Sequence, residues 1–469
     1  MRYTLTLQSK HLESLNSLVL HDDKLERPAI LLCGVSTIHN DIWDGGSEIR
    51  FLSKEVIEVP ATEINEQSEV IVNWDTATFR KALKKAKEDN LTVCLVHSHP
   101  EGATAFSDID DKHETELMEI MYRRNGRMLP GMSLVITQDR QLIARAFSTA
   151  LNINAVNMIR VFGERYQFYY PGKYATVAKE EFSRQQLAFG HTLNADLSKL
   201  KVAVIGCGAT GSATAQLLAR LGVGHLLLVD NDLVERSNLS RLHGANASDA
   251  DAGRSKAMVM NEVISRISIG CRTRFLHEWV GSEACRDALK ACDLIFCCTD
   301  DNSGRIFLNR YAYFYLTPVI DMGIVIDPSA DGQPPLQTLQ GRITVIQPEY
   351  TCLLCRGVVD RQLAREEQLK RNDPKGFERQ KEEAYVTGSG NPSPAVITFT
   401  TEVATMSANE LINRLTGFKR TGSEKHVIRF FDQGVDRKPH VSPGIDCSIC
   451  GDNTYWGLGD VIPFLDIVN

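Results

Sequence analysis

A set of metal-ligand residues follows a buried β-type run early in the chain. His97 and His99 come at the end of that run, and Ser107 and Asp110 lie eight and eleven residues after His99. Side chains two residues apart on a strand point the same way, so both histidines can reach one ion. Two imidazoles and a carboxylate suit zinc, and three protein ligands leave a fourth position open for water. The pattern predicts a catalytic zinc site; for the histidines alone, an exposed pair at a strand end is the alternative.

A glycine-rich turn lies near the middle of the chain. Gly206, Gly208 and Gly211 stand between a β-branched run at 202–205 and a helical apolar pattern. Gly206 would make the tight turn, Gly208 would let the backbone approach phosphate, and Gly211 would let the helix pack on the strand. The free N–H groups of the helix start attract anions. The motif predicts a nucleotide site, with Asp230 at the next strand end expected to bind ribose hydroxyls.

Charged residues after this loop distinguish two kinds of nucleotide enzyme. Asp232, Asn238, Arg241 and Lys256 follow Asp230 closely, and an acidic pair ends a later apolar strand. A dehydrogenase would need only the loop and the acidic residue of the second strand. Arginine and lysine neutralise a triphosphate, and a carboxylate can hold Mg²⁺ beside it. The composition therefore predicts nucleotidyl transfer from Mg-ATP.

Four of the 12 cysteines form two C-x-x-C pairs. These are Cys352 with Cys355 and Cys447 with Cys450. Without a secretion signal, cysteines are better explained as metal ligands or core residues than as disulfides. Four thiolates would make a closed structural zinc site. A redox-active dithiol is the alternative interpretation.

Composition limits the class of protein. The chain has 469 residues, of which 43% are hydrophobic and 24% charged, with a net charge of −7. That balance is typical of a globular protein and offers no attraction to nucleic acid. No apolar run approaches the roughly 18 residues of a membrane span, and the first residues lack the apolar core of a signal peptide. We therefore expect a cytoplasmic protein that binds neither membrane nor nucleic acid.

The apolar runs predict two α/β domains. Buried strands are expected at 27–33 and 91–96, a helix at Thr76–Asp89 and a closing hairpin at Ser133–Phe147. The predicted domains are 1–150 and 181–469, joined by a linker over 151–180.

The front motif resembles the signature of the JAMM (MPN-plus) zinc metalloproteases, isopeptidases that trim ubiquitin and ubiquitin-like tails. Their pattern of His-x-His, seven residues and Ser-x-x-Asp is matched by His97, His99, Ser107 and Asp110. The family's upstream glutamate is matched by Glu26, at a spacing one residue longer than the commonest pattern. The resemblance implies that Glu26 takes the water proton and that Ser107 donates to the oxyanion.

The back motifs resemble the ThiF/MoeB-type adenylyltransferases, the superfamily that includes ubiquitin-activating enzymes. Their pattern runs G-x-G-x-x-G, D-x-D, S-N-L-x-R, G-x-x-K and T-D-N, with an arginine five residues after the last aspartate. The resemblance implies an adenylation domain on a Rossmann-like sheet, with a four-cysteine zinc site beside it. It assigns ATP and Mg²⁺ contacts to Gly206, Gly208, Gly211, Asp230, Asp232, Asn238, Arg241, Lys256 and Asp300.

Three further assignments follow from this resemblance. Alignment on Arg305 and Asn309 makes Asp300 the Mg²⁺-linked catalytic aspartate, while Asp301 replaces the usual asparagine. Arg241 and Lys256 match residues that contact the reacting phosphates. Arg184 matches an arginine that reaches the ATP site of the neighbouring subunit, which implies a homodimer.

One departure from the pattern concerns the thioester. Members that form a thioester carry a cysteine in the loop before the late helix, and the aligned position here is Val386. No cysteine lies between Cys355 and Cys447. The sequence thus supports adenylation but not a thioester from the usual loop.

Together the resemblances imply a JAMM peptidase joined to an activating domain, as in prokaryotic ubiquitin-like conjugation systems, some linked to phage defence. The partner would be a ubiquitin-like β-grasp protein, with a conjugating-enzyme homologue as a further partner. Activation of a sulfur carrier to a thiocarboxylate, with peptidase release of the product, is an alternative. A binding module with one scaffold domain is another. The cofactors implied are ATP, Mg²⁺ and two Zn²⁺, one catalytic and one structural.

Overall fold

The computed structural model describes residues 1–69, 72–100, 102–172, 179–329, 336–382 and 394–460. The chain divides into two compact units. The first comprises Met1–Tyr174 with the short segments Phe314–Leu316 and Tyr455–Phe464, and the second comprises most of the remainder.

The described part of the first unit consists of a mixed sheet of nine strands, a separate strand pair and three α-helices. Its strands are β1 (Arg2–Gln8), β2 (Pro28–Ile38), β3 (Glu48–Glu58), β4 (Ile64–Gln67), β5 (Val72–Trp74), β6 (Thr92–His99), β7 (Gly131–Thr137), β8 (Leu142–Phe147), β9 (Ile153–Ala155), β10 (Met158–Phe162) and β11 (Tyr166–Tyr169). Its helices are α1 (Ser9–Val19), α2 (Ala77–Glu88) and α3 (Asp108–Asn125). The sheet order is β11-β10-β1-β3-β2-β6-β7-β8-β9, and β4 and β5 form the separate pair.

The centre of this sheet is buried on both faces, as the continuous apolar runs predict. Along β2, Leu31 and Cys33 face a core that includes α1, whereas Ile30 and Leu32 face a second core formed with α2 and α3. The predicted strands, helix and closing hairpin are confirmed. Because β6 pairs with β2 and β7 along its length, the histidines at its end are held in a rigid frame.

Two segments depart from the predicted domain limits. Residues Ile153–Tyr169, predicted as linker, form β9, β10 and β11, and β10 pairs in parallel with β1. The amide of Thr37 on β2 donates to Asp460 Oδ2 at 2.6 Å. The amide of Asp460 donates to the carbonyl of Val35 at 2.9 Å. The described residues after Tyr455 therefore belong with the first unit, although 181–469 was predicted as one domain.

The second unit is built on a doubly wound sheet. Its helices are α4 (Ser183–Lys199), α5 (Ala209–Leu221), α6 (Ala247–Asp251), α7 (Lys256–Ile267), α8 (Arg286–Lys290), α9 (Asn302–Phe314), α10 (Arg361–Asn372), α11 (Pro374–Glu382) and α12 (Ile397–Thr416). Its strands are β12 (Lys201–Ile205), β13 (His225–Val229), β14 (Arg272–Leu276), β15 (Leu294–Cys297), β16 (Val319–Asp327), β17 (Thr338–Ile346), β18 (His426–Phe430) and β19 (Val435–Arg437).

The order of this sheet places the predicted nucleotide residues at one edge. The sheet runs β14-β13-β12-β15-β16-β17-β18-β19, parallel from β14 to β16 and antiparallel beyond. The carboxyl ends of parallel strands meet at one edge, which is where ligands bind in such sheets. Gly206, Asp230 and Asp300 all follow such strand ends. Among the described residues, no helix is long and apolar enough to cross a membrane.

Candidate functional site

The first unit brings the three predicted zinc ligands together. The Nε2 atoms of His97 and His99 lie 3.1 Å apart. Asp110 Oδ1 is 3.4 Å from His97 Nε2, and Asp110 Oδ2 is 3.6 Å from His99 Nε2. Ligands about 2.0–2.1 Å from a tetrahedral zinc ion are separated by roughly 3.3 Å. The two imidazole nitrogens and the Asp110 carboxylate therefore already lie about as close together as the ligands of a zinc ion.

An acceptor atom lies near the Nδ1 atom of each histidine ring. His99 Nδ1 lies 2.9 Å from the carbonyl of Ala103, and His97 Nδ1 lies 3.5 Å from Glu114 Oε1. A proton on each Nδ1 leaves each Nε2 lone pair free for metal. Arg145 holds Glu114 in turn, because its Nη2 donates to Glu114 Oε2 at 2.6 Å. Glu114 and Arg145 were not predicted as site residues, since nothing in the local sequence indicates that residues 31 positions apart will meet.

Glu26 lies beside the ligands, just before β2 begins. Its side chain is buried, and its Oε1 is 3.9 Å from His99 Nε2. Glu26, His97 and Asp110 line one cleft with Trp74 and Leu117. Burial raises the pKa of Glu26 to about 7, which is near the value that a general base needs at neutral pH. Glu26 therefore lies within reach of the predicted ligands, and its role as the base stays a prediction.

Ser107 is used differently from the prediction. It is the N-cap of α3, and its hydroxyl donates to Asp110 Oδ2 at 2.8 Å. Its backbone amide donates to the same oxygen at 2.7 Å. These bonds orient the carboxylate ligand. Donation from Ser107 to an oxyanion would require the hydroxyl to leave Asp110, and that role stays a prediction.

The second unit brings the four C-x-x-C cysteines into one cluster. Cys352 and Cys450 lie 3.8 and 3.7 Å from Cys447 and Cys355, respectively, measured between Sγ atoms. Zinc–sulfur bonds of about 2.3 Å in a tetrahedron separate the sulfurs by roughly 3.8 Å. A hydrogen bond from Cys450, the largest cause, lowers the pKa of the Cys352 thiol to about 5, in keeping with a thiolate ligand. The cluster therefore fits a structural zinc ion.

Loss of one cysteine should release this ion. We expect Cys352→Ser to lower the zinc content from two ions per chain to one and to unfold or aggregate the second unit. Structural zinc contributes on the order of 10 kcal/mol to small sites. Metal analysis of the purified chain together with thermal unfolding measures both effects. A stable Cys352 variant that retains two zinc ions would contradict the assignment.

The glycine loop has the geometry of a phosphate cradle. Gly206 has φ +86°, and a Cβ there would lie 2.8 Å from the amide nitrogen of Thr299. A Cβ on Gly211 would lie 1.7 Å from the carbonyl oxygen of Gly206. A Cβ on Gly208 would meet nothing within 4 Å. Gly206 and Gly211 are therefore required by packing, whereas Gly208 borders open space at the start of α5, where a phosphate can approach.

Asp230 braces this loop. Its Oδ2 accepts the amide of Cys207 at 2.6 Å, and its Oδ1 accepts the amide of Asp232 at 2.7 Å. Asp232 is exposed and accepts a bond from Lys256 Nζ at 2.8 Å. Burial alone would lower the pKa of Lys256, but Asp230, Asp232 and Asp300 together outweigh burial and raise that pKa. Lys256 thus keeps its positive charge near three carboxylates. On binding of Mg-ATP, Mg²⁺ would compete with the lysine for the carboxylates, and a phosphate would compete with the carboxylates for the lysine.

The hydrogen bonds of Asn238 and Arg241, two further predicted nucleotide residues, lie within their own segment. Asn238 is buried and caps its own turn, because its Oδ1 accepts the amide of Glu235 at 3.1 Å. Arg241 Nη1 donates to the carbonyl of Ser237 at 2.8 Å. Arg184 is exposed in the first turn of α4. Its predicted role across a subunit interface stays a prediction.

The structure distinguishes the two neighbouring aspartates. Asp301 is used in local hydrogen bonds: its Oδ2 accepts Trp279 Nε1 at 2.7 Å and the amide of Gly304 at 2.9 Å. Its Oδ1 accepts the Ser303 hydroxyl at 2.8 Å. The Asp301 carboxylate therefore stabilises the start of α9 by accepting hydrogen bonds from its first turn. Asp300 is exposed and close enough to Lys256 to raise the pKa of that lysine.

The fold and these sites define the class of protein: a Rossmann-like unit with a nucleotide cradle and a four-cysteine cluster, joined to an α/β unit with a three-ligand metal site. Residues 182–438 match the model of the ThiF family, and residues 9–149 match the model of the prokaryotic homologues of the JAB domain. The ThiF match spans more than half of the chain. The chain belongs to the ThiF family and carries a JAB-like domain, so the predicted fusion and fold class are confirmed.

Curated relatives match the second unit only in part. The molybdopterin-synthase adenylyltransferase of Salmonella typhimurium is 30% identical over 164 residues, covering 34% of this chain and 59% of that protein. The sulfur carrier protein ThiS adenylyltransferase of Escherichia coli is 32% identical over 146 residues, 31% of this chain and 57% of that protein. A solved structure of E. coli MccB with ATP has a TM-score of 0.44 at 16% identity, covering 59% of this chain and 76% of that one. The chain spans less than two thirds of these curated relatives.

Proposed function

We propose that the second unit uses Mg-ATP to adenylate the C-terminal carboxylate of a ubiquitin-like β-grasp protein. The observation that carries the proposal is the convergence of the Gly206–Gly211 loop, Lys256 and Asp300 at one sheet edge in a ThiF-family chain. Two of the curated relatives are named as adenylyltransferases, one of them acting on the sulfur carrier ThiS. Both names describe the transfer of an adenylyl group to a protein, as proposed here.

The chemistry follows from the charges at this edge. A carboxylate oxygen of the tail would attack the α-phosphorus, and the bond from that phosphorus to the bridging oxygen would break. Pyrophosphate leaves with the bonding electron pair, and no proton is transferred. Amides at the start of α5 and the Lys256 ammonium would stabilise the phosphates. Asp300 would hold Mg²⁺, which balances the charge of the leaving pyrophosphate.

We propose that the first unit cleaves a peptide or isopeptide bond after the same tail. His97, His99 and Asp110 would hold Zn²⁺, which supplies an acidified water and polarises the scissile carbonyl. Glu26 would accept the proton of that water and pass it to the leaving amine. A shared tail specificity gives a reason for joining the two units in one chain.

Pyrophosphate exchange tests the first activity and hydrolysis of a tail extension tests the second. Small β-grasp proteins encoded beside this chain would be supplied with Mg-ATP and labelled pyrophosphate, and separately with extra residues on the tail. Exchange that requires the tail supports adenylation, and extension removal that stops when zinc is chelated supports the peptidase. Exchange without any protein substrate would contradict the proposal.

Activation of a sulfur carrier is a second candidate, favoured because the described thiols outside the four-cysteine cluster are poor nucleophiles. Burial raises the pKa of Cys285 to about 11 and that of Cys271 and Cys298 to about 12. Further buried thiols have raised pKa values as well: Cys33, Cys94, Cys207 and Cys297. Cys292, the eighth of these thiols, is fully buried. A nucleophilic cysteine needs an exposed setting that lowers its pKa. Val386, the aligned loop position, lies outside the described residues.

We therefore expect no thioester between this chain and the tail protein. The adenylate would pass to sulfide, to an amine, or to a cysteine of a separate conjugating protein. Non-reducing gels and intact mass spectra after addition of ATP check this expectation. A thiol-labile adduct that disappears on mutation of one cysteine would contradict it and would identify the nucleophile. The proposed homodimer, in which Arg184 reaches a neighbouring ATP site, is compatible with either fate of the adenylate.

A further inference from the structure

Two arginines and one aspartate form a buried cluster beside the adenylation edge. Arg305 Nε donates to Asp321 Oδ1 at 3.2 Å, and Arg342 Nη1 bonds Asp321 Oδ2. The Asp321 side chain is fully buried, whereas those of Arg305 and Arg342 retain 13% and 16% of their exposure. In the sequence, Arg305 served only to align the adenylyltransferase pattern, and Arg342 was not predicted as a site residue. The cluster therefore consists of a neutralised pair and one additional positive charge.

Some N–H groups of the two arginines are not used in hydrogen bonds within the described part of the chain. Arg305 Nη2 donates to the carbonyl of Met322 at 3.1 Å, and Arg342 Nη1 also bonds Thr344 Oγ1. In the described part of the chain, Arg305 Nη1 and Arg342 Nε and Nη2 have no hydrogen-bond acceptor. Charged donors that are largely withdrawn from water gain most from an anionic acceptor. The cluster is thus prepared for an anion from outside the described residues.

Gly323 leaves a space between the two guanidinium groups. A Cβ at this position would lie 3.1 Å from Arg342 Nη2 and 3.3 Å from both Arg342 Nε and Arg305 Nη2. Three charged N–H-bearing atoms therefore border the volume that any other side chain would occupy. A planar carboxylate approaching over Gly323 could accept from both arginines, which favours a small anion at the end of an unbranched chain.

The position of this cradle matches the reaction. Asp321 pairs with Cys297, the last residue of β15, so Gly323 lies just beyond the strand end that leads to Thr299 and Asp300. Burial alone would lower the pKa of Arg305, but Asp321 and, to a smaller extent, Cys297 and Asp300 raise it, so Asp300 lies close enough to act on this guanidinium group. On the other side, the glycine loop approaches Thr299 at Gly206. The cradle therefore lies at the same edge of the sheet, one strand beyond β15 and two strands from β12, which leads to the phosphate loop.

We propose that Arg342 and Arg305, over Gly323, bind the terminal carboxylate of the tail substrate before it attacks ATP. This inference rests on the proposed adenylation. Two anions must meet at the α-phosphorus, and a pair of fixed cations lowers their mutual repulsion while orienting the attacking oxygen. Asp321 is the positioning residue that holds both guanidinium groups in place.

Binding of a minimal peptide acid tests the site without knowledge of the partner. The probes are N-acetyl-Gly-Gly and its C-terminal amide, titrated by ligand-observed NMR into the full chain carrying Mg²⁺ and AMPCPP. We expect the acid to bind at least about tenfold more tightly than the amide, as a charge-assisted contact implies. Arg342→Gln and Gly323→Ala should each remove this preference, the first by deleting a cation and the second by filling the cradle.

Controls separate the possible outcomes. AMPCPP affinity and thermal unfolding should be unchanged in Gly323→Ala, since the atoms nearest to the new methyl group belong to arginine side chains and not to the backbone. Exposed Arg437→Gln, on β19, should retain the preference for the acid. Equal binding of acid and amide by the parent chain, or an undiminished preference in both cradle variants, would overturn the proposal. Failure of the parent chain to bind AMPCPP would instead contradict the proposed adenylation.

Discussion

Asp300→Asn should abolish adenylation while leaving the fold intact. The side chain is exposed and near Lys256, so the substitution removes one charge without disturbing a core contact. Loss of one preorganised electrostatic group at a reaction centre commonly costs about 10²–10³-fold in rate. We expect tail-dependent pyrophosphate exchange to fall by at least that factor, with zinc-dependent cleavage by the first unit unchanged.

Asp301→Asn is the matched control. It places an amide among Trp279, Ser303 and Gly304, so it should weaken the start of α9 and lower the melting temperature. The folded fraction should still exchange pyrophosphate, because the carboxylate of Asp301 is occupied by Trp279, Ser303 and Gly304 and is not assigned to Mg²⁺. Loss of pyrophosphate exchange in Asp301→Asn, with a normal rate in Asp300→Asn, would contradict the assignment and would make Asp301 the Mg²⁺-linked aspartate.

Glu26→Gln should abolish cleavage by the first unit while both zinc ions remain bound. The amide has the shape of the carboxylate but cannot accept the water proton, and general acid–base catalysis is worth about 10²–10⁴-fold. We expect removal of a tail extension to slow by that factor and pyrophosphate exchange to continue. His97→Ala should lose both cleavage and one zinc ion. The zinc content therefore distinguishes loss of a metal ligand from loss of the general base.

Glu58→Gln is the control for this variant, because Glu58 is an exposed carboxylate on β3 that pairs with Ala29 near the same cleft. Its cleavage rate and zinc content should equal those of the parent chain. Undiminished cleavage in Glu26→Gln would place the general base elsewhere.

Local patterns predicted the parts of this molecule whose chemistry depends on near neighbours in the chain. The glycine loop needs only a strand, three glycines and a helix, and His97 and His99 need only an alternating strand. At Gly206 and Gly211 the residue type alone indicates the backbone constraint, since a side chain there would collide with nearby backbone atoms. These motifs could therefore be read without knowledge of the fold.

Contacts between distant residues could not be predicted in this way. Arg145 lies on a strand whose apolar and polar residues alternate, a pattern that is equally compatible with an exposed side chain. In the structure it donates to Glu114, which lies beside the predicted zinc ligand His97. Arg342 meets Asp321 only because β16 and β17 pair in one register. The strands of 153–169 have a mixed composition, and β10 is recognised only by its pairing with β1. In each case the partner lies far along the sequence.

Intact mass spectrometry of the small β-grasp protein, after incubation with this chain and Mg-ATP, tests the central claim most directly. The protein is predicted to gain the mass of one adenylyl group, and removal of its C-terminal residue should prevent the gain. The Asp300→Asn chain should produce no such species. An adenylyl group that persists on the truncated protein would show modification of a side chain and would contradict activation of the C-terminal carboxylate.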